Sequence, residues 1–287
     1  MRIICVPFLT RSWLLAIPLL AWTIACTPVS TLTTGTIPPA LSAQMDSLVH
    51  LQQGDLPILI SAPHGGRKDI PGSRHRTGQG MATGGAGFST AWDAGTEELA
   101  LELAAEVLRL TGKKPYLVVG SFKRNFLDCN RPPAIAYSDP AARAVYEVYH
   151  GALRQDCKDI VTRFGSGLVV DLHRQGSSAN TVYRGTKNGK SVTAMRAKFG
   201  EGIHEGPDSV FGRLKAQGWN VHPDPGGTEQ SGFSGGFITQ TYGSERSPTD
   251  AIQFEFGADY CKTAEQRKST VKTLAKVLVE LAKSYHL

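Results

Sequence analysis

The fold class of this chain is decided by one segment, Gly167-Leu168-Val169-Val170-Asp171-Leu172-His173-Arg174. It begins with an unbroken aliphatic run, which is typical of a strand buried on both faces of a parallel sheet. Because successive side chains of a strand point to opposite faces, Asp171 and His173 share one face. A single histidine in such a strand is more often a hydrogen-bonded core residue than a ligand, so its meaning depends on the rest of the sequence.

The remaining sequence alternates strand-length apolar runs with longer helical patterns. The other strand candidates are residues 56–60, 116–119 and 252–256, and the helix candidates are about residues 93–110, 140–163, 207–217 and 263–284. This alternation predicts a single α/β domain with a mostly parallel mixed sheet and helices on both faces. Two glycine-rich stretches, residues 78–87 and 226–236, are long enough to be loops that cover a site.

Composition and charge exclude several classes of protein. The chain has 287 residues, 41% of them hydrophobic, which is enough for a large core and rules out a disordered, collagen-like or coiled-coil chain. Its formal charge is +6, and Arg2 and Arg11 supply two of these charges. The remaining excess is too small to indicate nucleic-acid binding, so we expect no nucleic-acid partner.

The N-terminal segment has the pattern of an export signal. Arg2 and Arg11 precede the apolar run of residues 13–22, and small residues follow near Cys26, which predicts a signal peptide over residues 1–25. Residues 23–26 resemble the cleavage box of bacterial lipoproteins, so membrane attachment through a lipid on Cys26 and free secretion both stay open. We expect an exported protein, periplasmic or extracellular, with residues 26–50 as a flexible tether and residues 51–287 as the catalytic domain.

The cysteines of the predicted domain are an odd set. Cys129, Cys157 and Cys261 allow at most one disulfide within the domain, and they form no CxxC motif. The favoured interpretation is that all three are small buried hydrophobic residues.

A second histidine lies at the end of another predicted strand. The segment from Asp55 to Arg67 carries an apolar run that stops at Ser61 and delivers His64 into a glycine turn. The carboxyl ends of strands are where open α/β sheets bind ligands. Two histidines placed in this way predict a shared metal ion, with Asp171 orienting one of the rings.

A hydrolytic zinc commonly takes three protein ligands, so a carboxylate is also needed. Asp93 and Glu97 lie four residues apart on the inward side of the helix predicted from residue 93, and either is a candidate. The competing interpretation is that both acids only complement the dipole at the helix N-terminus.

Two further segments carry candidate chemistry. Arginine forks suit carboxylates, so Arg124 and Arg131, together with Asn130, are candidates for holding an acidic substrate, and a structural salt bridge to Asp128 is the alternative. On the last predicted strand, alternation sends Gln253 and Glu255 to one face, and a carboxylate there is a general-base candidate.

Taken together, these segments resemble the N-formylglutamate amidohydrolase family, within the wider zinc carboxypeptidase and aspartoacylase superfamily. The fragments that carry the resemblance follow in chain order: Pro63-His64-Gly65-Gly66, the helix start at residues 93–99, Arg124 with Asp128-Cys129-Asn130-Arg131, Asp171-Leu172-His173, Ser234-Gly235-Gly236-Phe237 and Gln253-Phe254-Glu255. The resemblance implies a zinc-carboxypeptidase-like fold that binds one Zn²⁺ per chain.

The resemblance also implies roles for individual residues. His64 and His173 would be zinc ligands and Glu255 the general base and proton shuttle. Arg124, Asn130 and Arg131 would bind the substrate carboxylate and polarise the carbonyl.

One position departs from the superfamily. Its zinc carboxypeptidases have Glu three residues after the first histidine, where this chain has Arg67. The acidic ligand would therefore be Asp93 or Glu97. Arg67 joins the substrate-binding candidates, and Asp128 joins Asp171 as a residue that orients a ligand.

The sequence thus predicts an exported zinc-dependent amidohydrolase. Its substrate would be a small molecule or peptide with a carboxylate: an N-acyl amino acid, a peptide, or a γ-glutamyl or cell-wall amide. The alternative is a non-catalytic carboxylate-binding protein on the same fold. A serine hydrolase is disfavoured, because no Gly-x-Ser-x-Gly motif follows a strand.

Overall fold

The computed structural model describes residues 45–80 and 87–283. The predicted signal peptide, Cys26, most of the predicted tether and residues 81–86 of the first glycine-rich stretch lie outside the described residues. Within them, no helix has the length and apolar character needed to cross a bilayer.

The described residues form a single α/β domain around a seven-stranded mixed sheet. The strands are β1 (Val49–Gln52), β2 (Ile58–Ala62), β3 (Tyr116–Gly120), β4 (Leu168–Arg174), β5 (Val182–Gly185), β6 (Val221–His222) and β7 (Asp250–Phe256). Their order across the sheet is β1-β3-β2-β4-β7-β5-β6. The central strands β3, β2, β4 and β7 run parallel, whereas β1 is antiparallel to β3 and β5 is antiparallel to β7.

Helices cover both faces of this sheet. They are α1 (Thr96–Thr111), α2 (Pro133–Ala136), α3 (Pro140–Phe164), α4 (Thr193–Phe199), α5 (Gly202–Glu205), α6 (Val210–Ala216), α7 (Phe237–Tyr242), α8 (Ala258–Cys261) and α9 (Ala264–Lys283). Helices α1, α6 and α9 pack on one face, and α3 and α7 pack on the other. The predicted fold class is therefore confirmed.

Strand alternation separates the core from the polar site. On β4, Leu168, Val170 and Leu172 belong to the α1/α9 core, whereas Val169 belongs to the α3/α7 core. On β7, Ile252, Phe254 and Phe256 all belong to the α1/α9 core. By the same alternation His173 and Glu255 share the α3/α7 face, and they are direct partners in the β4–β7 register.

Two features of the fold differ from the sequence predictions. Residues 45–48 form a helical turn, and β1 begins at Val49, so the end of the segment predicted as tether is part of the domain. Strands β5 and β6, like β1, were not predicted from the sequence. All three strands are short and have partners only through tertiary pairing, so local periodicity carries little signal for them.

The cysteines follow the favoured interpretation. Cys129, Cys157 and Cys261 are all free and buried. They act as small apolar residues in the two cores.

Phe254 gives a test of this packing. Its side chain is fully buried, and its ring centroid lies 5.0 Å from that of Phe211 and 5.8 Å from that of Phe256. Because the cavity left by truncation would be lined by side chains held in place by the sheet, we expect Phe254→Ala to lower the free energy of unfolding by about 3–5 kcal/mol. Denaturant unfolding measures this loss, and a value below about 1 kcal/mol would contradict the packing described.

Candidate active site

The central parallel strands all end at one edge of the sheet, and a cavity of about 550 Å³ opens there. It is lined by residues from the ends of β4 and β7 and from loops, including those that follow β2 and β3. Of the predicted site residues, His64, Asp93, Arg124, Asn130, Arg131, His173 and Glu255 line it. Ligand sites at the carboxyl ends of strands are the general rule for sheets of this kind.

His64 enters the site because two glycines allow the chain to turn tightly after β2. A Cβ at Gly65 would lie 2.2 Å from the backbone nitrogen of Glu97, and one at Gly66 would lie 2.0 Å from the carbonyl carbon of Ser121. Only glycine fits against backbone this closely. The backbone N–H of Asp93 then donates to the His64 carbonyl at 3.1 Å, which brings the two residues together.

His64, Asp93 and His173 form a group that can hold a metal ion. One ligand atom of each residue lies within 4.8 Å of the others, and all three residues are buried. Asp93 Oδ2 lies 3.3 Å from His64 Nδ1 and 3.1 Å from His173 Nδ1. Two imidazole nitrogens and a carboxylate oxygen match the ligand set of a catalytic zinc site.

The far side of each imidazole is held by a further carboxylate. His64 Nε2 lies 2.7 Å from Asp128 Oδ1, and His173 Nε2 lies 2.9 Å from Asp171 Oδ2. Such carboxylates fix the tautomer and orientation of metal-binding histidines. The orienting roles predicted for Asp171 and Asp128 agree with this geometry.

One atom shows that the donor set fits a cation. His64 Nδ1 is buried and has no hydrogen-bond partner among the described residues, although it faces the Asp93 carboxylate. A buried polar atom without a hydrogen bond is costly and therefore rare in folded proteins. A cation between His64 Nδ1 and Asp93 would satisfy both groups.

The charges of the site shift pKa values in opposite directions. Burial lowers the pKa of His173, but the carboxylates of Asp171, Asp93 and Glu255 outweigh it, so the pKa lies well above the usual value. Burial raises the pKa of Asp93, but a hydrogen bond from His173 and the charges of His64 and His173 bring the net pKa below its usual range. The site thus concentrates negative charge around two imidazoles, which also favours a bound cation.

Glu97, the other acid predicted as a ligand, lies apart from this group. Helix α1 begins at Thr96 rather than at residue 93, and Gly95 precedes it with φ of 91°, in the left-handed region. The helical spacing between positions 93 and 97 is therefore lost. The Glu97 carboxylate instead accepts a hydrogen bond from Ser121 and lies 3.5 Å from His50 Nε2.

Arg67 also lies elsewhere. Its guanidinium carbon sits 4.6 Å from the ring centroid of Trp92, and Arg67 does not line the cavity. The segment that follows Gly66 runs beside Ser121 and Phe122 rather than over the site, since Lys68 pairs with both in backbone contacts. The structure therefore does not bring Arg67 together with the other predicted substrate-binding residues.

The predicted arginines line the cavity, but several of their nitrogen atoms already bond to other groups of the protein. Arg124 Nε donates to Asp128 Oδ2 at 2.9 Å, and its Nη1 lies 3.8 Å from Asp93 Oδ1. Its Nη2 makes no hydrogen bond to another described residue. Arg131 Nε donates to the Gly87 carbonyl at 2.7 Å and its Nη1 to the Asn130 carbonyl at 2.9 Å.

Asn130 serves the architecture of the site. Its Oδ1 accepts from the backbone N–H of Ile238 at 2.9 Å, and its Nδ2 lies 3.1 Å from His173 Nε2. A Cβ at Gly236 would lie 2.3 Å from Asn130 Nδ2, so glycine lets the start of α7 approach. Asn130 therefore joins the cavity wall to His173, and it also lines the cavity.

Glu255 faces the cavity beside His173, its partner in the sheet register. Gln253 Nε2 donates to Glu255 Oε1 at 2.9 Å. Burial raises the pKa of Glu255 to about 8, and the charges of Asp93 and Asp171 add to this rise while those of His173 and Arg124 oppose it. The carboxyl can exchange a proton near neutral pH, as a general base and acid must.

Sequence reasoning missed a polar chain behind this site. Ser61 Oγ donates to Asp171 Oδ1 at 2.9 Å and lies 2.9 Å from the hydroxyl of Tyr149. Ser61 could have been recognised from the sequence, because it is a polar residue in a predicted buried strand, as Asp171 is. Tyr149 lies on α3, and only the tertiary packing brings it to β2.

The second glycine-rich stretch does form a wall of the cavity, as predicted. Residues 231–237, which include Phe233 and Phe237, line it. Tyr242, at the end of α7, is buried, and its hydroxyl lies 2.8 Å from His150 Nδ1.

Comparison with known families agrees with this geometry. The sequence profile described as N-formylglutamate amidohydrolase matches residues 56–261, which include every residue of the candidate site. The chain belongs to the N-formylglutamate amidohydrolase family. The resemblance noted in the sequence is thereby confirmed, and membership of an amidohydrolase family indicates hydrolysis of amide bonds.

Solved structures agree with the fold. The N-formylglutamate amidohydrolase from Ralstonia eutropha is 15% identical, with a TM-score of 0.56, and the alignment covers 84% of this chain and 99% of that one. A gene product from Agrobacterium tumefaciens is also 15% identical, with a TM-score of 0.53, over 86% of this chain and 98% of that one. No curated protein matches the chain. At this identity the structures support the family fold, and the chemistry rests on the site.

Proposed function

We propose that this family member is an exported zinc-dependent hydrolase that cleaves an amide bond in a small molecule or peptide bearing a carboxylate. The convergence of His64 Nδ1, His173 Nδ1 and Asp93 Oδ2 beside Glu255, in one cavity, carries the proposal. A cluster of histidines can occur in a protein without a buried glutamate beside it, and a buried glutamate can occur without such a cluster. Their adjacency is what amide hydrolysis needs.

The residues of the chain divide the chemistry between them. His64, Asp93 and His173 would hold the zinc ion, which when bound would polarise the amide carbonyl and lower the pKa of a water molecule. Glu255 would accept the proton of the attacking water and return it to the leaving amine. Arg124, whose Nη2 makes no hydrogen bond to another described residue, would donate to the oxygen that develops negative charge.

The substrate class follows from the family and from the charges of the cavity. The family description names an N-formyl amino acid with carboxylates, and the cavity lining includes four cationic side chains, Arg124, Arg131, Arg174 and Lys187. We therefore include N-acyl amino acids, peptides with a free carboxylate and γ-glutamyl amides. The proposal of export rests on the pattern of residues 1–25.

Metal content is the direct test. We expect about one zinc per chain in residues 27–287 purified without a histidine tag or added metal, because three buried ligands converge. His64→Ala and His173→Ala should each lose the zinc and the hydrolysis of N-acyl amino acids. Elemental analysis measures the first effect and amine release the second.

His150 provides the matched control for these variants. It is a buried histidine outside the metal group, and its ring bonds the Tyr242 hydroxyl and the Cys129 carbonyl. His150→Ala should therefore retain zinc. Folded wild-type protein that binds no zinc even after add-back would refute the metallohydrolase and leave carboxylate binding as the function.

A further inference from the structure

Four cationic side chains line the cavity, and they differ in the contacts that they make with other residues of the protein. Arg124 is paired with Asp128, and Arg131 donates to two backbone carbonyls. Arg174 lies next to the metal group, since it directly follows His173 and its backbone N–H donates to Asp93 Oδ2, and its buried side-chain Nε has no hydrogen-bond partner among the described residues. The fourth, Lys187, is half-buried and makes no side-chain hydrogen bond or ion pair with any described residue.

The backbone at Lys187 is held in an uncommon conformation. Lys187 and Asn188 have φ of 54° and 52°, and Gly189 follows with φ of 85°. Lys187 and Asn188 are the two non-glycine residues in the left-handed region among the described residues. Such conformations persist where surrounding contacts impose them, and they concentrate at functional sites.

A clamp formed by the buried residues Arg184, Thr186 and Glu229 and by the exposed residue Asn188 imposes this conformation. The Glu229 carboxylate accepts from the backbone N–H groups of Thr186 at 2.8 Å and of Asn188 at 2.9 Å, on either side of Lys187. Asn188 Oδ1 accepts from the N–H of Glu229 at 2.9 Å, and Arg184 Nε donates to Glu229 Oε1 at 3.0 Å. Arg184 is only 1% exposed and Glu229 5%, so the ion pair at the centre of the clamp is shielded from water.

The clamp also joins Lys187 to the cavity wall. The backbone N–H of Lys187 donates to the Ser234 carbonyl at 2.6 Å. A Cβ at Gly185 would lie 2.5 Å from both the Gly235 nitrogen and the Phe233 oxygen, so the wall packs directly on the end of β5. The position of Lys187 on the cavity is therefore fixed by the fold rather than by a flexible loop.

We propose that Lys187 is a specificity-determining residue that binds an anionic group of the substrate, a carboxylate separated from the scissile amide. Lys187 is a half-buried residue on the cavity with no acidic partner among the described residues, so its ammonium group is available to an anionic group of a ligand. The inference rests on the proposed function and deepens it. Arg124, beside the metal group, then acts at the scissile amide, and Lys187 selects for the second charge.

The test compares substrates that differ only in this charge. N-formyl-L-glutamate and N-formyl-L-glutamine have the same shape, but only the first carries a side-chain carboxylate. We expect Lys187→Met to lower kcat/KM for N-formyl-L-glutamate by about 10–100-fold, mainly through KM, since a charged hydrogen bond is lost. The value for N-formyl-L-glutamine should stay within about twofold of wild type, and Lys187→Arg should keep most of the preference for the charged substrate.

The matched control is Lys190→Met, three residues along the chain. Lys190 is exposed and does not line the cavity, so the same loss of charge there should leave both substrates unaffected. Equal losses for both substrates in Lys187→Met, or no loss, would overturn the proposal while leaving the hydrolase intact.

A binding measurement separates this proposal from the proposed function. Calorimetry of L-glutamate and L-glutamine on the same zinc-loaded proteins tests Lys187 even if neither amide is cleaved. Loss of L-glutamate binding in Lys187→Met alone supports the proposal, whereas wild-type protein that binds neither amino acid overturns it.

Discussion

The Asp93→Ala protein is expected to lose more than about 100-fold in zinc affinity, together with all measurable amide hydrolysis. Asp93 supplies the single carboxylate of the group formed by His64, Asp93 and His173, and its Oδ2 lies between the two Nδ1 atoms. Loss of a group that only orients a ligand already costs about 10–100-fold in metal affinity, so loss of a ligand should cost more. A chelator competition series measures the affinity.

Glu97→Ala is the matched control for that experiment. It removes an acid four residues away that bonds Ser121 instead of facing the histidines. Its zinc affinity should stay within about threefold of wild type, because no ligand or ligand-orienting group is lost. If Glu97→Ala loses zinc and Asp93→Ala keeps it, the ligand assignment is wrong.

The Glu255→Gln protein is expected to keep its zinc and to lose about 10²–10⁴-fold in kcat. The substitution preserves the size of the side chain and its contact with Gln253, but an amide cannot accept the proton of the attacking water. Because Glu255 is not one of the three converging ligands, metal content should not change. Initial rates at saturating N-acyl amino acid and elemental analysis on the same sample separate the two effects.

A carboxylate outside the cavity is the control for this variant. Glu98 lies on the exposed side of α1, so Glu98→Gln should leave kcat unchanged. A Glu255→Gln enzyme within tenfold of wild-type kcat would rule out Glu255 as the general base. Loss of zinc in this variant would instead make Glu255 a metal ligand.

The two expected results separate binding from catalysis. Asp93→Ala removes both metal and activity, whereas Glu255→Gln removes activity alone. Since Glu255 is the sheet partner of His173, the distinction also tests whether adjacent residues on β4 and β7 carry separate tasks.

Several parts of the site were predictable because they depend on strand alternation and on where strands end. The unbroken aliphatic run at 168–170 indicates a central strand, and period-two spacing then puts Asp171 and His173 on one face. The same rule separates Glu255 from Phe254 and Phe256. Since parallel strands end at a common edge, His64 and His173 were expected to meet.

Other parts depended on contacts that local periodicity does not report. The helical extrapolation put Asp93 and Glu97 on one face, but the left-handed turn at Gly95 starts α1 at Thr96 and directs the two acids apart. The sequence also did not show that Asn130 links His173 to the cavity wall, a contact that depends on the close approach of Gly236.

The sequence by itself thus determined the α/β architecture, the family, and the placement of the two histidines and of the β7 carboxylate, Glu255, at one site. These follow from strand alternation, from the turns after strands and from short motifs, all of which are local properties of the chain. Only the tertiary structure showed that Asp93 rather than Glu97 lies beside the two histidines, that Arg67 does not line the cavity and that Lys187 does. Those outcomes depend on contacts between residues distant in sequence, such as Glu229 holding the turn at Lys187, and no local pattern specifies them.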